Sequence, residues 1–292
     1  MIKFTKMHGI GNSYIYINCF EEEVFNPSKM SEFVSDPHFG IGSDGLVLIM
    51  PSETADFKMR IFNADGSEAE MCGNATRCVG KYVYDNGLTK KTDITLETNS
   101  GIKDLELDVI DGEVVSVTVG MGKAELEPQK IPVSIDGDRV IGYPISVMDK
   151  EYEITAVSMG NPHAVIFMDD IDSLELEKVG PLFENHELFP ERINTEFIKV
   201  IDEDTLQMRV WERGSGETWA CGTGACAAVV AAVLNGYCKH DREITVKLRG
   251  GNLKITYLQD GTVIKKGPAT FICEGEVEVP PCLLYTSPSP RD

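Results

Sequence analysis

Polar and apolar residues alternate along much of the chain with a period of two. "VVSVTV" (Val114 to Val119), "DITLET", "LKITYL" and "TFICEGEVEV" all read this way, the pattern of strands with one face buried. The opening "MIKFTKMHGIGNSYIYI" alternates likewise and reads as a first strand. Two stretches switch to the helical period. Ala75, Cys78, Val79, Tyr82 and Val83 fall at i, i+3, i+4, i+7 and i+8, an amphipathic stripe. "ACAAVVAAVL" (Ala225 to Leu234) is apolar on every side, which predicts a helix with no exposed face. Asn86-Gly87 and Asn235-Gly236 supply the helix stops.

These elements occur twice. At a shift of 149, Cys72-Gly73 falls on Cys221-Gly222, Asn86-Gly87 on Asn235-Gly236, "KMRIFN" on "QMRVWE", Glu68 on Glu217, and Gly11-Asn12 on Gly160-Asn161. At 150, Ile94-Thr95 and Gly101 meet Ile244-Thr245 and Gly251, and Asp111-Gly112 returns to Asp260-Gly261 at 149. Asn-Gly and Asp-Gly recur in unrelated turns, but turn chemistry does not account for the Cys-Gly or Met-Arg matches. The chain therefore reads as an α+β protein of two pseudo-symmetric halves, each a mostly antiparallel sheet or barrel wrapped around a central helix. The expected halves are residues 1–119 plus 267–279, carrying Cys72, and residues 120–266, carrying Cys221. Homologous halves usually pack about a pseudo-twofold axis, and a cleft there would receive the same feature from each side. The tail "PPCLLYTSPSPRD", residues 280–292, breaks the pattern. It is expected to be disordered or non-native and to stand outside the fold.

Composition narrows the function. Among 292 residues, 42% are hydrophobic, enough for a real core, and no apolar run approaches the ~20 residues of a membrane span. The start lacks the basic segment and apolar block of a signal peptide, and the eight cysteines form no tight disulfide framework. A cytoplasmic protein with no membrane partner is expected. The net charge of −20, without a Lys/Arg cluster, argues against nucleic acid. It also means that an anionic small-molecule substrate needs locally placed positive charge.

Candidate chemistry lies in "EMCGNATRCVG" (Glu70 to Gly80) and "WACGTGACAAV" (Trp219 to Val229). Each puts Cys-Gly at a helix N-terminus. Free N–H groups and the helix dipole there favour negative charge, which lowers a thiol pKa and suits a bound carboxylate. Two such ends would clamp one carboxylate, with a thiol on each side of the adjacent carbon. That arrangement suits removing a proton from one face and returning one to the other. Cys72/Cys78 and Cys221/Cys226 lack the spacing of a zinc site, so no metal is expected. Cys19, Cys78, Cys226, Cys238 and Cys273 read as core thiols. A Cys72–Cys221 redox pair, hence a thiol oxidoreductase, is the reading from another class, and a silent binding protein is a third. Around the thiols, "HGIGNS" offers Asn12, "FNADGSE" Asn63, "MGNPHA" Asn161 and His163, "ERINTE" Asn194, and "WERGSGET" Glu212 and Arg213. Asparagine amides bind zwitterions without charge, and Arg213 can grip a carboxylate bidentately.

"NADGSEAEMCGNATR" (Asn63 to Arg77), "MGNPH" and "WERGSGETWACGTG" closely resemble the diaminopimelate epimerase family, in order and with fitting spacing to about Val279. The resemblance implies a two-domain epimerase, often a homodimer, that needs no cofactor. It would interconvert LL- and meso-diaminopimelate in lysine and cell-wall precursor synthesis. It makes Cys72 and Cys221 the acid/base thiols, with the N–H groups of Gly73, Asn74, Gly222 and Thr223 on the reacting carboxylate. Asn12, Asn63, Asn161, Asn194, Glu212 and Arg213 would read the substrate, with Arg213 on the distal carboxylate, and His163 and Glu212 would tune the thiols. Within the fold, proline or hydroxyproline racemase-like enzymes are the alternative; their substrates have no second amino-acid head for Arg213 and the asparagines. One departure is Gly45 in "GIGSDGL", where many family members carry a Gln side chain.

Overall fold

The computed structural model describes residues 1–280 and residue 283. The first run of elements is β1 (Ile2–Gly9), β2 (Asn12–Asn18), α1 (Pro27–Ser35), β3 (Gly45–Met50), β4 (Phe57–Asn63), β5 (Glu68–Ala69), α2 (Gly73–Asp85), β6 (Asp93–Thr98), β7 (Gly101–Ile110) and β8 (Glu113–Lys123). The second is β9 (Tyr143–Val147), β10 (Lys150–Ser158), β11 (Pro162–Phe167), α3 (Leu176–Glu184), β12 (Asn194–Asp202), β13 (Thr205–Glu212), β14 (Gly216–Glu217), α4 (Gly222–Leu234), β15 (Glu243–Leu248), β16 (Gly251–Tyr257) and β17 (Thr262–Gly267), and β18 (Thr270–Val277) follows. They form two compact units: Met1–Val119 with the described residues from Pro268 onward, and Gly120–Gly267.

The two units repeat one plan. In the first, β1 and β2 are antiparallel, β2 and β3 parallel, β3 and β4 antiparallel, and β4 and β6 parallel. In the second, β10 and β11, β11 and β12, β12 and β13, and β13 and β15 follow the same signs. Helices α2 and α4 have 13 residues each and begin 149 positions apart. A bidentate ion pair is repeated as well. Arg60 Nε and Nη2 donate to Glu68 Oε1 and Oε2, both at 2.8 Å. Arg209 does the same to Glu217, at 2.9 and 3.1 Å. Each pair clips a two-residue strand to its neighbour just before the cysteine helix, and fork-on-fork geometry fixes orientation as well as adding attraction.

The expected all-apolar helix is buried from Gly224 to Ala232 and touches seven strands, β10–β13 and β15–β17. Burial of Val229 and Val230 on it contributes about 1.5–3 kcal/mol each. On α2 burial goes beyond the apolar stripe, because Thr76 and Arg77 are also fully buried. Arg77 is accommodated by Pro268 O at 3.1 Å, Gly73 O at 3.2 Å and Asn74 Oδ1 at 3.0 Å. Asn86 and Asn235 cap the two helices, and Gly87 and Gly236 follow at φ +72° and +79°.

Several expectations are corrected. The opening stretch is a hairpin rather than one strand, because Ile10 and Gly11 take φ of 48° and 92° and turn β1 back onto β2. Each unit holds a second helix. In α3, Gly180 and Pro181 disguise the helical pattern. The glycine is required by packing, since a Cβ at Gly180 would lie 2.3 Å from the Trp211 ring. Cys273 is exposed rather than core, as are Phe271 and Ile272, because β18 covers β1 while most of its own side chains remain open. Of the expected tail, all but Pro280 and Leu283 lies outside the described residues, and Leu283 packs against the core cluster around Ile2, Ile15 and Leu46.

Candidate active site

Cys72 is the N-cap of α2, with extended backbone, and Gly73 and Asn74 are the first helical residues. Their N–H groups point out of the helix end, where the backbone has no intrahelical acceptor. The Cys72 thiol donates to Asn12 Oδ1 at 3.3 Å, and Asn74 Nδ2 donates to the same oxygen at 3.4 Å. Asn12 is held by Nδ2 donating to Asp44 Oδ2 at 2.8 Å. The Tyr14 hydroxyl stands in hydrogen-bond contact with Cys72 and Asn12, and burial first, then the nearby sulfur and Asp44, pushes that phenol well above its ordinary range. Asn63 sits at the end of β4 with Nδ2 on Ser67 Oγ at 3.0 Å. Gly45 pairs with Asn63 across β3 and β4. A Cβ at Gly45 would lie 2.0 Å from Phe62 O and 2.9 Å from Tyr14 Cε1, so the tyrosine ring takes the space a longer side chain would need.

Cys221 holds the same N-cap position on α4 and is buried, but unlike Cys72 its side chain also makes a capping hydrogen bond. Its sulfur accepts from Gly224 N at 3.3 Å and lies 3.6 Å from Thr223 Oγ1. Glu212 accepts from the thiol and from Thr218 Oγ1. His163 Nδ1 meets Glu196 Oε1 at 2.7 Å with both side chains fully buried, and His163 Nε2 faces Asn161 Oδ1 at 3.0 Å. Here the expectation of a lowered thiol pKa is reversed. Burial first, then the Glu212 and Glu196 carboxylates, push the Cys221 thiol well above its ordinary range, against the opposing pull of the Thr223 hydroxyl and the Gly224 N–H. Burial also raises the Glu212 carboxyl, with Glu196 adding to it.

Arg213 lies in the turn after β13. Its backbone N–H donates to Asn194 Oδ1 at 2.9 Å, and Asn194 Nδ2 donates to Pro162 O at 2.8 Å. The Arg213 guanidinium meets only a backbone carbonyl, Glu191 O at 2.9 Å, and among the described residues it forms no ion pair with a carboxylate. The turn itself is fixed by Glu184, buried on α3, which accepts from Gly214 N at 3.0 Å and Trp211 Nε1 at 2.7 Å.

The first unit thus gathers Asn12, Gly73, Asn74 and Cys72, with Asn63 on the strand beside them. The second gathers Asn161, His163, Glu212, Cys221, Gly222 and Thr223, with Asn194 linked to Arg213. Reading by motif missed Tyr14, Asp44, Glu196 and Thr218. The repeat held a signal for Tyr14, which falls on His163 at the shift of 149. Glu196 had none, since it falls on Val47 in an apolar strand.

His163, Glu196 and Cys221 place nitrogen, oxygen and sulfur donors within 4.8 Å of one another, a set that spacing between cysteines alone could not reveal. The closest pair, at 2.7 Å, is nearer than the ~3.3 Å separating two tetrahedral zinc ligands. The atoms are set for a shared proton.

Residues 4–127 and 155–272 match the family model described as Diaminopimelate epimerase. The diaminopimelate epimerase of Acetivibrio thermocellus is 60% identical over 95% of this chain and 99% of its own length. Two solved structures share the fold at low identity. A phenazine biosynthesis protein of the PhzF family from Bacillus anthracis has TM-score 0.69 at 16% identity, covering 95% of this chain and 99% of its own. A hydroxyproline epimerase from Agrobacterium vitis has TM-score 0.68 at 14% identity, covering 94% and 90%.

Proposed function

The chain belongs to the diaminopimelate epimerase family, and from that premise we propose that it interconverts LL- and meso-2,6-diaminopimelate by a two-thiol proton transfer without a cofactor. The observation that carries this reading is the duplicated cysteine: Cys72 and Cys221 each cap a 13-residue helix whose first residues are Gly-Asn or Gly-Thr. The helix ends suit the carboxylate of the reacting centre, where negative charge grows as the α-proton leaves. One thiolate takes that proton, breaking C–H and forming S–H. The other thiol gives its proton to the opposite face of the same carbon, forming C–H and leaving a thiolate. The pair ends with its protonation reversed, and solvent exchange resets it.

The remaining groups are given roles partly from their contacts and partly from the family. Asn12 positions the Cys72 sulfur, and Glu212 and His163 tune Cys221. Asn63, Asn161 and Asn194 serve the polar ends of the substrate, and Arg213, lacking a carboxylate of its own, serves the distal carboxylate. The reading extends to a homodimer, supported by the apolar side chains Phe271 and Ile272 open on β18. It extends also to the cytoplasm, supported by the seven free cysteines among the described residues, and to lysine and cell-wall precursor synthesis.

The deciding experiment is turnover of LL-diaminopimelate by the purified protein with nothing added, repeated in D2O. Early product is expected to carry deuterium at the inverted carbon while unreacted substrate stays protiated, in both directions. Substrate protium returned to product, or no turnover, refutes the reading.

A further inference from the structure

The two thiols sit in duplicated frames, but the frames differ in charge. Position by position at the repeat shift, Tyr14 stands where His163 stands, Val47 where Glu196 stands, and Asn63 where Glu212 stands. Around Cys72 those three positions are therefore a phenol, an alkyl group and an amide. The carboxylate in that shell, Asp44, is exposed and occupied by Asn12 Nδ2 and Ser13 N. Around Cys221 the same positions carry an imidazole and two carboxyl groups. The titratable groups facing that sulfur are His163 from β11, Glu196 from β12 and Glu212 from β13.

Glu196 is the unusual member. Its side chain is fully buried, one oxygen is held by His163, and Oε2 has no hydrogen-bond partner. A buried carboxylate left half-satisfied costs stability, so its place at the fully buried start of β12 calls for a reason. It is also pressed against the thiol's helix. A Cβ at Gly224 would lie 2.5 Å from Glu196 Oε1 and 3.0 Å from Cys221 Sγ, so the chain keeps the bare backbone that lets carboxylate and sulfur share this corner.

We propose that Glu196 is a positioning residue for the proton transfer: it fixes the His163 ring and, as a second buried carboxylate, keeps Cys221 in its protonated, proton-donating form. The two thiols then start unequal. Glu196 and Glu212 stand beside Cys221, whereas the carboxylate near Cys72, Asp44, is exposed, so the free enzyme rests ready for one direction of transfer. The inference rests on Cys221 being a working thiol, and its test needs no substrate.

The test is alkylation of the intact protein by iodoacetamide across pH 6–11, followed peptide by peptide. The pH midpoint of Cys221 modification in the parent is expected above the ordinary thiol value of about 8.5; a midpoint at or below it overturns the proposal. In Glu196→Gln, whose amide oxygen can still accept from His163, the Cys221 midpoint is expected to fall by at least one pH unit, about tenfold in thiolate fraction at fixed pH, while that of Cys72 stays put. An unmoved Cys221 midpoint in a folded Glu196→Gln overturns it. If that variant does not fold, Glu196→Asp decides: a smaller fall in the same direction supports the proposal and no fall defeats it. Absence of turnover on diaminopimelate, with these midpoints as expected, would refute the substrate and leave this inference standing.

Discussion

At the scale of the residue, a few polar atoms divide the labour between substrate and scaffold. Arg213 meets one backbone carbonyl and no carboxylate, so its charge is available to an anion. Arg213→Ala is expected to lower kcat/KM by the equivalent of roughly 2–5 kcal/mol, the cost of losing one partner of a desolvated charge pair. Steady-state kinetics on diaminopimelate check this, and near-parental kcat/KM would remove Arg213 from the substrate site. Cys72→Ala and Cys221→Ala are each expected to abolish epimerisation, since each deletes half of a coupled transfer. Substantial turnover by either variant would leave the two-thiol reading untenable. The thiols, Asn12, Asn63, Asn161 and Arg213 stood out in the sequence as candidates because each lies in or beside a glycine-containing turn, where polar residues are conspicuous. Glu196 and Tyr14 did not, because they lie inside strands rather than turns, and only three-dimensional adjacency shows what they touch.

At the scale of the element, the repeat made the core helices legible, and strong alternation gave most strands. The hairpin turn at Ile10-Gly11 was hidden because the alternation of β1 continues into β2 with little interruption. Helix α3 was hidden because Gly180 and Pro181 oppose helix formation locally, while packing decides the outcome. Gly180→Ala separates those two influences. Propensity alone would make the alanine favourable by about 1 kcal/mol. A methyl group 2.3 Å from the Trp211 ring is overpacked instead, and a net loss of about 1–3 kcal/mol is expected by denaturant unfolding. Trp211 is held through Glu184, which also fixes the Arg213 turn, so activity should fall with stability. A more stable, fully active Gly180→Ala would show that the ring yields freely.

At the scale of the whole molecule, buried thiols set the alkaline limit of stability. Burial pushes Cys19, Cys78 and Cys238 up to about 11 each, and Cys221 rises well above its ordinary range. Below the ordinary thiol value of about 8.5 both folded and unfolded chains keep these protons. Above it the unfolded chain releases them while the folded chain holds them, so stability falls as pH rises from about 8.5 toward 11. Melting temperature is expected to drop steadily across that interval at constant ionic strength. A flat profile would mean that the thiols ionise alike in both states. The strand pairing of the first unit carries a different consequence, one of order in time. Its first strand, β1, is flanked by β2 and by β18, the last strand among the described residues, whereas the second unit, Gly120–Gly267, is one continuous stretch. During synthesis Gly120–Gly267 emerges before β18 and can complete its own hydrogen-bond ladders while β1 waits with one edge open. Pulse-labelled amide exchange on refolding protein should find β10–β13 protected ahead of β1.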